Sequence, residues 1–351
     1  MAKRSHIRFL CKQWATVPPV VHADLRGKTA IVLGANTGIG FEAAQHFARM
    51  DVGRLILACR SREKGETAIE RLNQATGYSK AELWLVDLGD FASVGAFVDQ
   101  ALRDLERVDL LILNAAAAAR MDGLFTATND GWETSYELFS QSGQQSSSPL
   151  LALLMLPRVL ETAKRHNTIP RIVVVSSDFH FWTELEDKVL NSPNAFEILG
   201  SKEYCTSQIM KARYADSKLL NVFFARALSN RVREQPVIVN VVHPGFCYSE
   251  LRRDITSLGM RLYEMMFAWT AEQGSRQLIW AAVGTPKGDN DTSNKLKGAY
   301  VGMADIDEPS DFVLGDEGKK REDKLWVDLI STLEKVDPRV KDVVAQCLTA
   351  P

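Results

Sequence analysis

The sequence predicts an α/β fold in which helices cover both faces of a doubly wound parallel sheet. Short apolar, β-branched runs alternate along the chain with stretches whose apolar residues recur at helical spacing. Because both faces of each short run are apolar, we expect strands of a parallel sheet that is covered on both sides. A glycine-rich turn ends the first run. Together these observations predict a single α/β domain with irregular extensions.

The predicted strands and helices alternate in chain order. The strands are Thr29–Leu33, Arg54–Ala58, Ala81–Val86, Leu110–Leu113, Arg171–Ser176 and Val237–Val242. The helices between them are Phe41–Met50, Glu63–Gln74, Phe91–Leu105, Leu150–Lys164 and Ser217–Val232. We expect residues 1–26 to form an N-terminal arm, residues 27–300 the α/β domain and residues 301–351 a C-terminal helical extension.

Two long stretches interrupt this alternation. Residues Phe139–Pro149 are polar and low in complexity, and they cannot supply the apolar stripe of a packed helix. We therefore expect two shorter helices, Asp130–Leu138 and one from Leu150, joined by a mobile loop. The second stretch, Asp178–Arg213, is either a binding lid or a decorated surface loop. Its aromatic residues favour the lid: Phe179, Phe181, Trp182, Phe196 and Tyr204.

Composition argues against several classes of protein. The 351 residues are 46% hydrophobic, and a net charge of −2 gives no electrostatic case for nucleic acid or an acidic membrane surface. No run reaches the roughly 18 apolar residues of a transmembrane helix. The five scattered cysteines contain no CxxC pair, which argues against a disulfide framework or a metal site. We expect a cytoplasmic protein, with Ile7–Val21 as part of the arm rather than a signal peptide.

A glycine-rich turn, Leu33-Gly34-Ala35-Asn36-Thr37-Gly38-Ile39-Gly40, directly follows the first predicted strand. In a strand–turn–helix unit the first glycine allows a tight turn, the second lets the backbone approach a pyrophosphate, and the third lets the helix pack on the strand. The pyrophosphate then lies against the N–H groups at the helix start. A plain strand–helix turn is the alternative interpretation. The candidate cofactor contacts are Gly34, Asn36, Gly38, Ile39 and Gly40.

The end of the second strand indicates which dinucleotide fits. About 20 residues past the glycines, an NAD-binding fold carries an acidic residue that holds the ribose 2′-hydroxyl. Here the position offers Arg60 and Arg62, with Lys64 beyond. A guanidinium can bind a phosphate bidentately, so the sequence favours NADP(H) over NAD(H), with Arg60 as the 2′-phosphate contact. A solvated basic loop at a helix start is the alternative.

Two further strand ends carry candidate nucleotide contacts. Asp87 ends the third strand, where it can either accept from an adenine amino group or cap the following helix. Asn114 ends the fourth strand, where its side chain can tie this strand to its neighbour. The small residues Ala115 and Ala116 leave room there for a nicotinamide ribose.

Tyr214 and Lys218 are four residues apart and lie on one helical face. A nearby ammonium stabilises the phenolate and lowers the tyrosine pKa from about 10 toward the operating pH. Tyr214 is therefore a candidate general acid toward a carbonyl, or base toward an alcohol. A routine amphipathic helix is the alternative. Ser176 and Ser177 end the fifth strand, where a hydroxyl can donate to the same substrate oxygen.

In this order, the motifs resemble the short-chain dehydrogenase/reductase family over about residues 27–249: glycine turn, Asn114-Ala115, Ser177, Tyr214-xxx-Lys218 and Pro244-Gly245. The resemblance implies a Rossmann-type sheet. It also implies that Ser177 orients the substrate, that Tyr214 gives or takes the proton, and that Lys218 lowers the pKa of Tyr214 and binds the nicotinamide ribose.

Further expectations come from the same resemblance. Backbone near Cys247 contacts the carboxamide, and Ser249 stands where the family commonly has threonine. The long spacer between Ser177 and Tyr214 resembles the retinol-dehydrogenase-like branch, including fungal reductases of secondary metabolism. One departure concerns a proton-relay asparagine in the helix after strand four, because no asparagine occurs between Asn129 and Asn167.

We therefore expect an NADP(H)-dependent oxidoreductase that interconverts a carbonyl and an alcohol on a bulky apolar small molecule. Aromatic residues before Tyr214 and in Leu258–Ala282 suggest the apolar substrate, although an amphipathic helix pair packed on the core explains the second segment about equally well. Family analogy alone points to a polyketide or terpenoid intermediate. The alternatives are an NADP-binding protein that has lost turnover and an epimerase or dehydratase on the same fold. The sequence allows a homo-oligomer but does not determine the oligomeric state.

Overall fold

The computed structural model of the chain describes residues 6–114, 147–248, 258–286 and 292–349. Within them, eight strands form one sheet in the order β3-β2-β1-β4-β5-β6-β7-β8. The strands are β1 (Thr29–Leu33), β2 (Arg54–Cys59), β3 (Ala81–Leu85), β4 (Leu110–Leu113), β5 (Arg171–Val175), β6 (Ile238–Val242), β7 (Tyr300–Gly302) and β8 (Asp305–Asp307). Neighbours from β3 to β7 pair in parallel, and β8 pairs antiparallel to β7.

Helices precede β1, occupy the connections from β1 to β7 and follow β8. They are α1 (His6–Gln13), α2 (Gly38–Arg49), α3 (Arg62–Thr76), α4 (Phe91–Asp104), α5 (Ser147–His166), α6 (Asp187–Leu190), α7 (Ala195–Gly200), α8 (Ser207–Arg231), α9 (Leu258–Phe267), α10 (Ala271–Val283), α11 (Thr292–Leu296), α12 (Gly315–Val336) and α13 (Arg339–Cys347). The six predicted strands each agree with the structure to within one residue at either end, and the α/β fold class is confirmed.

Both faces of the sheet are buried. In β1, Ile31 and Leu33 face an apolar cluster that includes α4, α5 and α8, whereas Ala30 and Val32 face a second cluster that includes α2, α3 and α10. Successive residues of a strand point to opposite faces, so a fully apolar strand needs helices on both sides. This is the doubly wound arrangement that the sequence predicts.

The order of the strands reverses between β1 and β4. From β1 the chain builds outward through β2 to β3, and then returns to place β4 on the other side of β1. In such sheets the two connections diverge at the reversal and leave a crevice at the carboxyl ends of the strands. The glycine turn after β1 and Asn114 after β4 both lie at this crevice.

The two irregular stretches differ from expectation. Residues Ser147 to Pro149 form the first turn of α5, where a proline costs little because its N–H has no helical partner there. Placing these three residues in a loop was therefore wrong. The rest of Phe139–Pro149 and the predicted helix Asp130–Leu138 lie outside the described residues.

The stretch Asp178–Arg213 is neither a simple lid nor a surface loop. It contains a 3-10 helix (Asp178–Trp182), the short helices α6 and α7, and the first turns of α8. Phe196 and Tyr204 are buried in the core, and the lid expected from them is wrong. Phe179 alone among the five predicted lid aromatics is exposed by more than a third of its surface.

The C-terminal helices cover the outer side of one helical layer. Helix α12 packs along α8, and α13 packs against α5. Trp326 stacks on Phe224 with ring centroids 6.3 Å apart, and Asn230 Nδ2 donates to the buried Glu322 Oε1 at 2.8 Å. The boundary expected at residue 300 falls inside β7, so the sheet extends beyond it.

Substituting Gly40 tests the close packing of α2 on the glycine turn. A Cβ at Gly40 would lie 2.4 Å from both Asn114 Nδ2 and the Gly34 carbonyl oxygen. We expect Gly40→Ala to lower the free energy of unfolding by about 1–3 kcal/mol, measured by urea denaturation. Gly95→Ala in α4 is the matched control, since its Cβ would meet only Arg339 Nη2 at 3.4 Å. It should raise stability by about 0.5–1 kcal/mol. Equal stability of Gly40→Ala and wild type would contradict the packing.

Candidate active site

The glycine turn leaves space for a phosphate group at the start of α2. Gly34 and Gly38 have φ angles of +70° and +59°, which L side chains rarely adopt. A Cβ at Gly38 would meet no atom within 4 Å. Thr37 precedes the helix without a side-chain cap, and no acidic residue occupies the first turn. The N–H groups of that turn therefore present a positive helix end to an open space, which fits a pyrophosphate.

Asn114 joins the ends of β1 and β4 beside this turn. Its Nδ2 donates to the Leu33 carbonyl at 3.1 Å and lies 3.4 Å from the Gly34 carbonyl. The same amide nitrogen is the atom that a Cβ at Gly40 would strike. The predicted tie between neighbouring strands is therefore present. Ala115 and Ala116 lie outside the described residues.

The ends of β2 and β3 place Arg60 and Asp87 at the same edge. Arg60 is exposed directly after β2, and the side chain of Ser61 caps α3. Asp87 Oδ1 accepts from the Gly89 N–H at 2.9 Å, and Asp90, not Asp87, caps α4. The helix-capping interpretation of Asp87 is therefore wrong, whereas its contact with adenine stays a prediction.

Ser177 and Tyr214 are brought together by the 3-10 helix that follows β5. Ser177 Oγ accepts from the Phe179 N–H at 3.3 Å, and this leaves the hydroxyl hydrogen to be donated elsewhere. The Phe179 ring meets the Tyr214 ring edge to face at 5.3 Å. Ser176 is buried and donates to the Lys218 carbonyl at 2.7 Å, which ties β5 to α8.

Lys218 is buried next to Tyr214. Its Nζ lies 5.6 Å from the centre of the tyrosine ring and 3.4 Å from the Val175 carbonyl oxygen. Burial disfavours the ammonium and lowers the pKa of Lys218 to about 7. Asn221, which sequence reasoning missed, donates from Nδ2 to the same carbonyl at 3.1 Å. It lies one turn beyond Lys218 on α8, a spacing that the sequence does show.

Residues 244–248 form the turn after β6. Gly245 has a φ of +79°, and a Cβ there would lie 2.3 Å from the Trp269 ring. Cys247 is buried, with its Sγ donating to the Pro244 carbonyl at 3.3 Å. Trp280 in α10 is buried in the core, as the packed-helix interpretation of Leu258–Ala282 predicts, whereas the buried Trp269 lies between α9 and α10. Ser249 lies outside the described residues.

A buried polar cluster behind Ser177 was not predicted. Tyr300 Oη donates to Asp178 Oδ1 at 2.8 Å, and His243 Nδ1 lies 3.4 Å from the same oxygen. His180 Nε2 accepts from the Ser310 N–H at 3.1 Å, so its Nδ1 carries the hydrogen and donates to the Ser177 carbonyl at 2.8 Å. The cluster joins the segment after β5 to β7. Asp178 directly follows Ser177, and His180 lies two residues further on; this closeness in sequence was the available signal.

Two further properties concern the described residues, 6–114, 147–248, 258–286 and 292–349. No grouping of three or more His, Cys, Asp or Glu side chains there could hold a metal ion. In that same part of the chain, no helix combines the length and the apolar character needed to cross a membrane.

Comparisons with known proteins identify the family. The model of the family described as short chain dehydrogenase matches residues 28–178. The short chain dehydrogenase/reductase dmxR8 of Cryptosporiopsis sp. (strain 8999) is 33% identical over 95% of this chain and 98% of its own. The short-chain dehydrogenase anuD of Penicillium roqueforti (strain FM164) is 34% identical over 97% of this chain and 86% of its own. The chain belongs to the short-chain dehydrogenase/reductase family of oxidoreductases.

Solved structures agree with this fold. L-sorbose reductase from Gluconobacter frateurii, complexed with NADPH and L-sorbose, superposes with a TM-score of 0.55 at 16% identity, over 79% of this chain and 96% of that one. At this identity the likeness supports the Rossmann-type fold and nothing finer.

The low pKa of Lys218 has a measurable consequence for stability. Between pH 7 and the ordinary lysine value of 10.5, the unfolded chain binds a proton that folded Lys218 does not. The free energy of unfolding therefore rises with pH, by about 1.4 kcal/mol per unit from this group. From pH 7 to pH 9, wild type should gain about 2–3 kcal/mol relative to Lys218→Met, measured by urea denaturation without added nucleotide.

Lys320→Met provides the control, because the Lys320 side chain is 72% exposed. Its stability should follow that of wild type over the same pH range. A constant difference between wild type and Lys218→Met from pH 7 to pH 9 would show that Lys218 is an ordinary ammonium.

Proposed function

We propose that this oxidoreductase uses NADP(H) to interconvert a carbonyl and an alcohol on a bulky apolar small molecule. The observation that carries the proposal is the buried Lys218 next to the half-buried Tyr214 at the carboxyl edge of the sheet. Ser177 lies at the same edge and is linked to Tyr214 through Phe179. This arrangement would offer a hydroxyl donor and a proton donor to one substrate oxygen, with the Lys218 amine beside the proton donor.

The three side chains have separate tasks in carbonyl reduction. Ser177 donates its hydroxyl hydrogen to the carbonyl oxygen and fixes its position. Tyr214 transfers its phenolic proton to that oxygen as negative charge develops there. Lys218, in its ammonium form, stabilises the phenolate that Tyr214 leaves behind, and a pKa of about 7 keeps that form populated near neutral pH. When bound, the nicotinamide supplies the hydride, or takes it up in alcohol oxidation.

The proposed cofactor contacts follow the edge of the sheet from β3 to β6. Gly34, Asn36, Gly38, Ile39 and Gly40 would hold the pyrophosphate, and Asp87 and Asn114 the adenine and the ribose side. Arg60 would bind the 2′-phosphate, because Arg62 already lies 3.7 Å from Glu66. Lys218, Tyr214, the backbone at Cys247 and Ser249 would contact the nicotinamide end.

The substrate surface next to Tyr214 is apolar. Phe179 is 39% exposed, and it packs edge to face on Trp182 at 5.1 Å as well as on Tyr214. An exposed aromatic ring next to the reacting hydroxyl favours a substrate with a flat apolar body. A polyketide or terpenoid intermediate of secondary metabolism meets this requirement. The five free thiols support a reducing, cytoplasmic location.

The direct test combines nucleotide binding with turnover. We expect NADPH oxidation with at least one member of a panel of aromatic ketones and aldehydes, and identification of the alcohol by mass spectrometry. Binding of NADPH without consumption across the panel would instead favour a nucleotide-binding protein that lacks turnover. Product formation without net oxidation of NADPH would favour an epimerase or dehydratase.

Cofactor choice should depend on Arg60. We expect wild type to bind NADPH at least about tenfold more tightly than NADH, and Arg60→Asp to abolish or reverse this ratio through repulsion of the 2′-phosphate. Isothermal titration calorimetry measures both constants. Arg103→Asp makes the same charge change at an exposed position of α4 and should keep the wild-type ratio. Equal affinity of wild type for both nucleotides would disprove NADP(H) selectivity.

Proton transfer should depend on Tyr214. Tyr214→Phe keeps the ring and removes the proton, so turnover should fall by about 10²–10⁴-fold while NADPH affinity changes little. Steady-state kinetics and titration calorimetry separate the two effects. Tyr204→Phe is the matched control, since Tyr204 is buried in the core and should keep most of the activity. Near-normal turnover of Tyr214→Phe would show that another group donates the proton.

A further inference from the structure

The N-terminal helix α1 ends in a buried glutamine that bonds to two distant segments. Gln13 is 5% exposed. Its Nε2 donates to the carbonyl oxygens of Phe246 and Phe267, both at 2.9 Å, and its Oε1 accepts from the Phe246 N–H at 3.2 Å. A primary amide offers two N–H donors and one carbonyl acceptor, so the two acceptors and one donor around it fix its orientation.

Trp269 completes the same assembly. Its indole N–H donates to the Gln13 backbone carbonyl at 2.8 Å. Its backbone N–H donates to Phe246, and its carbonyl accepts from Tyr248, both at 2.8 Å. Its ring fills the space that a side chain at Gly245 would need. The turn 244–248 is therefore held by hydrogen bonds to Gln13 and to Trp269.

This turn lies at the reactive end of the candidate nucleotide site. It follows β6, the neighbour of β5, whose end carries Ser177. Val17 of the arm, Cys247 and Trp269 form a small apolar cluster that also contacts Ile39, in the first turn of α2. A dinucleotide with its 2′-phosphate near Arg60 and its phosphates at the glycine turn must extend toward Tyr214. Its other end then reaches the turn 244–248.

We propose that Gln13 is a positioning residue for the nicotinamide end of the cofactor, and that the N-terminal helix is a working part of the nucleotide site. This inference rests on the proposed function, because it requires a nicotinamide nucleotide at this edge. Removing the Gln13 amide leaves the Phe246 N–H and the Phe246 and Phe267 carbonyls without these bonds, and frees the turn to move. The adenosine end, held near β1 and β2, is unaffected.

Two ligands separate this role from a general loss of structure. NADPH spans the whole site, whereas adenosine 2′,5′-bisphosphate carries the 2′-phosphate but no nicotinamide. By titration calorimetry, Gln13→Leu should bind NADPH at least about tenfold more weakly than wild type and bind the bisphosphate within about twofold of wild type. Gln13→Glu should show the same split, because the carboxylate oxygen that replaces the amide N–H donors faces the carbonyl oxygens of Phe246 and Phe267.

Lys12→Met is the matched control on the same helix. Lys12 Nζ contacts Asp307 Oδ2 at 2.7 Å, so this variant removes one contact of α1 and keeps the Gln13 side chain that bonds to the turn. Both ligands should therefore bind as in wild type. If Gln13→Leu binds NADPH as tightly as wild type, or binds both ligands more weakly by the same factor, the positioning role of Gln13 is wrong. The proposed function would not be affected by either result. Wild type that binds neither NADPH nor NADH would overturn the proposed function itself, and the role of Gln13 with it.

Discussion

The common direction of seven strands is the constraint on which the rest of the structure depends. Because β1 to β7 run parallel, their carboxyl ends all lie on one edge, and the chain must cross the sheet through a helix before each new strand. Groups far apart in sequence therefore meet there, among them Arg60, Asn114, Ser177 and the turn after β6. The close approach of Gly40 to Gly34 and Asn114 fixes where α2 points its positive end.

The burial of Lys218 shows how the fold and the chemistry are coupled. An ammonium in this position loses hydration, and the neighbouring Val175 carbonyl replaces only part of it. The core therefore holds a group that destabilises the chain near neutral pH, and in the proposed mechanism this group acts only when a phenolate forms beside it. Such a conflict between stability and activity is typical of active sites. The helices behind α8 supply the packing that tolerates it.

The sequence predicted those elements whose formation depends on residues close to one another along the chain. The apolar runs define β1 to β6, the glycine turn defines the start of α2, and the spacing of Tyr214 and Lys218 defines a shared helical face. The strands β7 and β8 are three residues each, too short to show alternation. Gln13 carries no local signal at all, because its partners lie more than 230 residues away. Phe196 and Tyr204 were misplaced because aromatic composition does not distinguish a lid from a core.

The C-terminal helices α12 and α13 pack on α8 and α5, and α8 is the helix that carries Tyr214 and Lys218. The stacking of Trp326 on Phe224 and the bonds of Glu322 brace α8 from within the same polypeptide. A second copy of the chain cannot pack on surfaces that are already occupied. The contacts described between α12 and α8 are intramolecular, so this part of the packing around the helix of Tyr214 does not depend on the protein concentration.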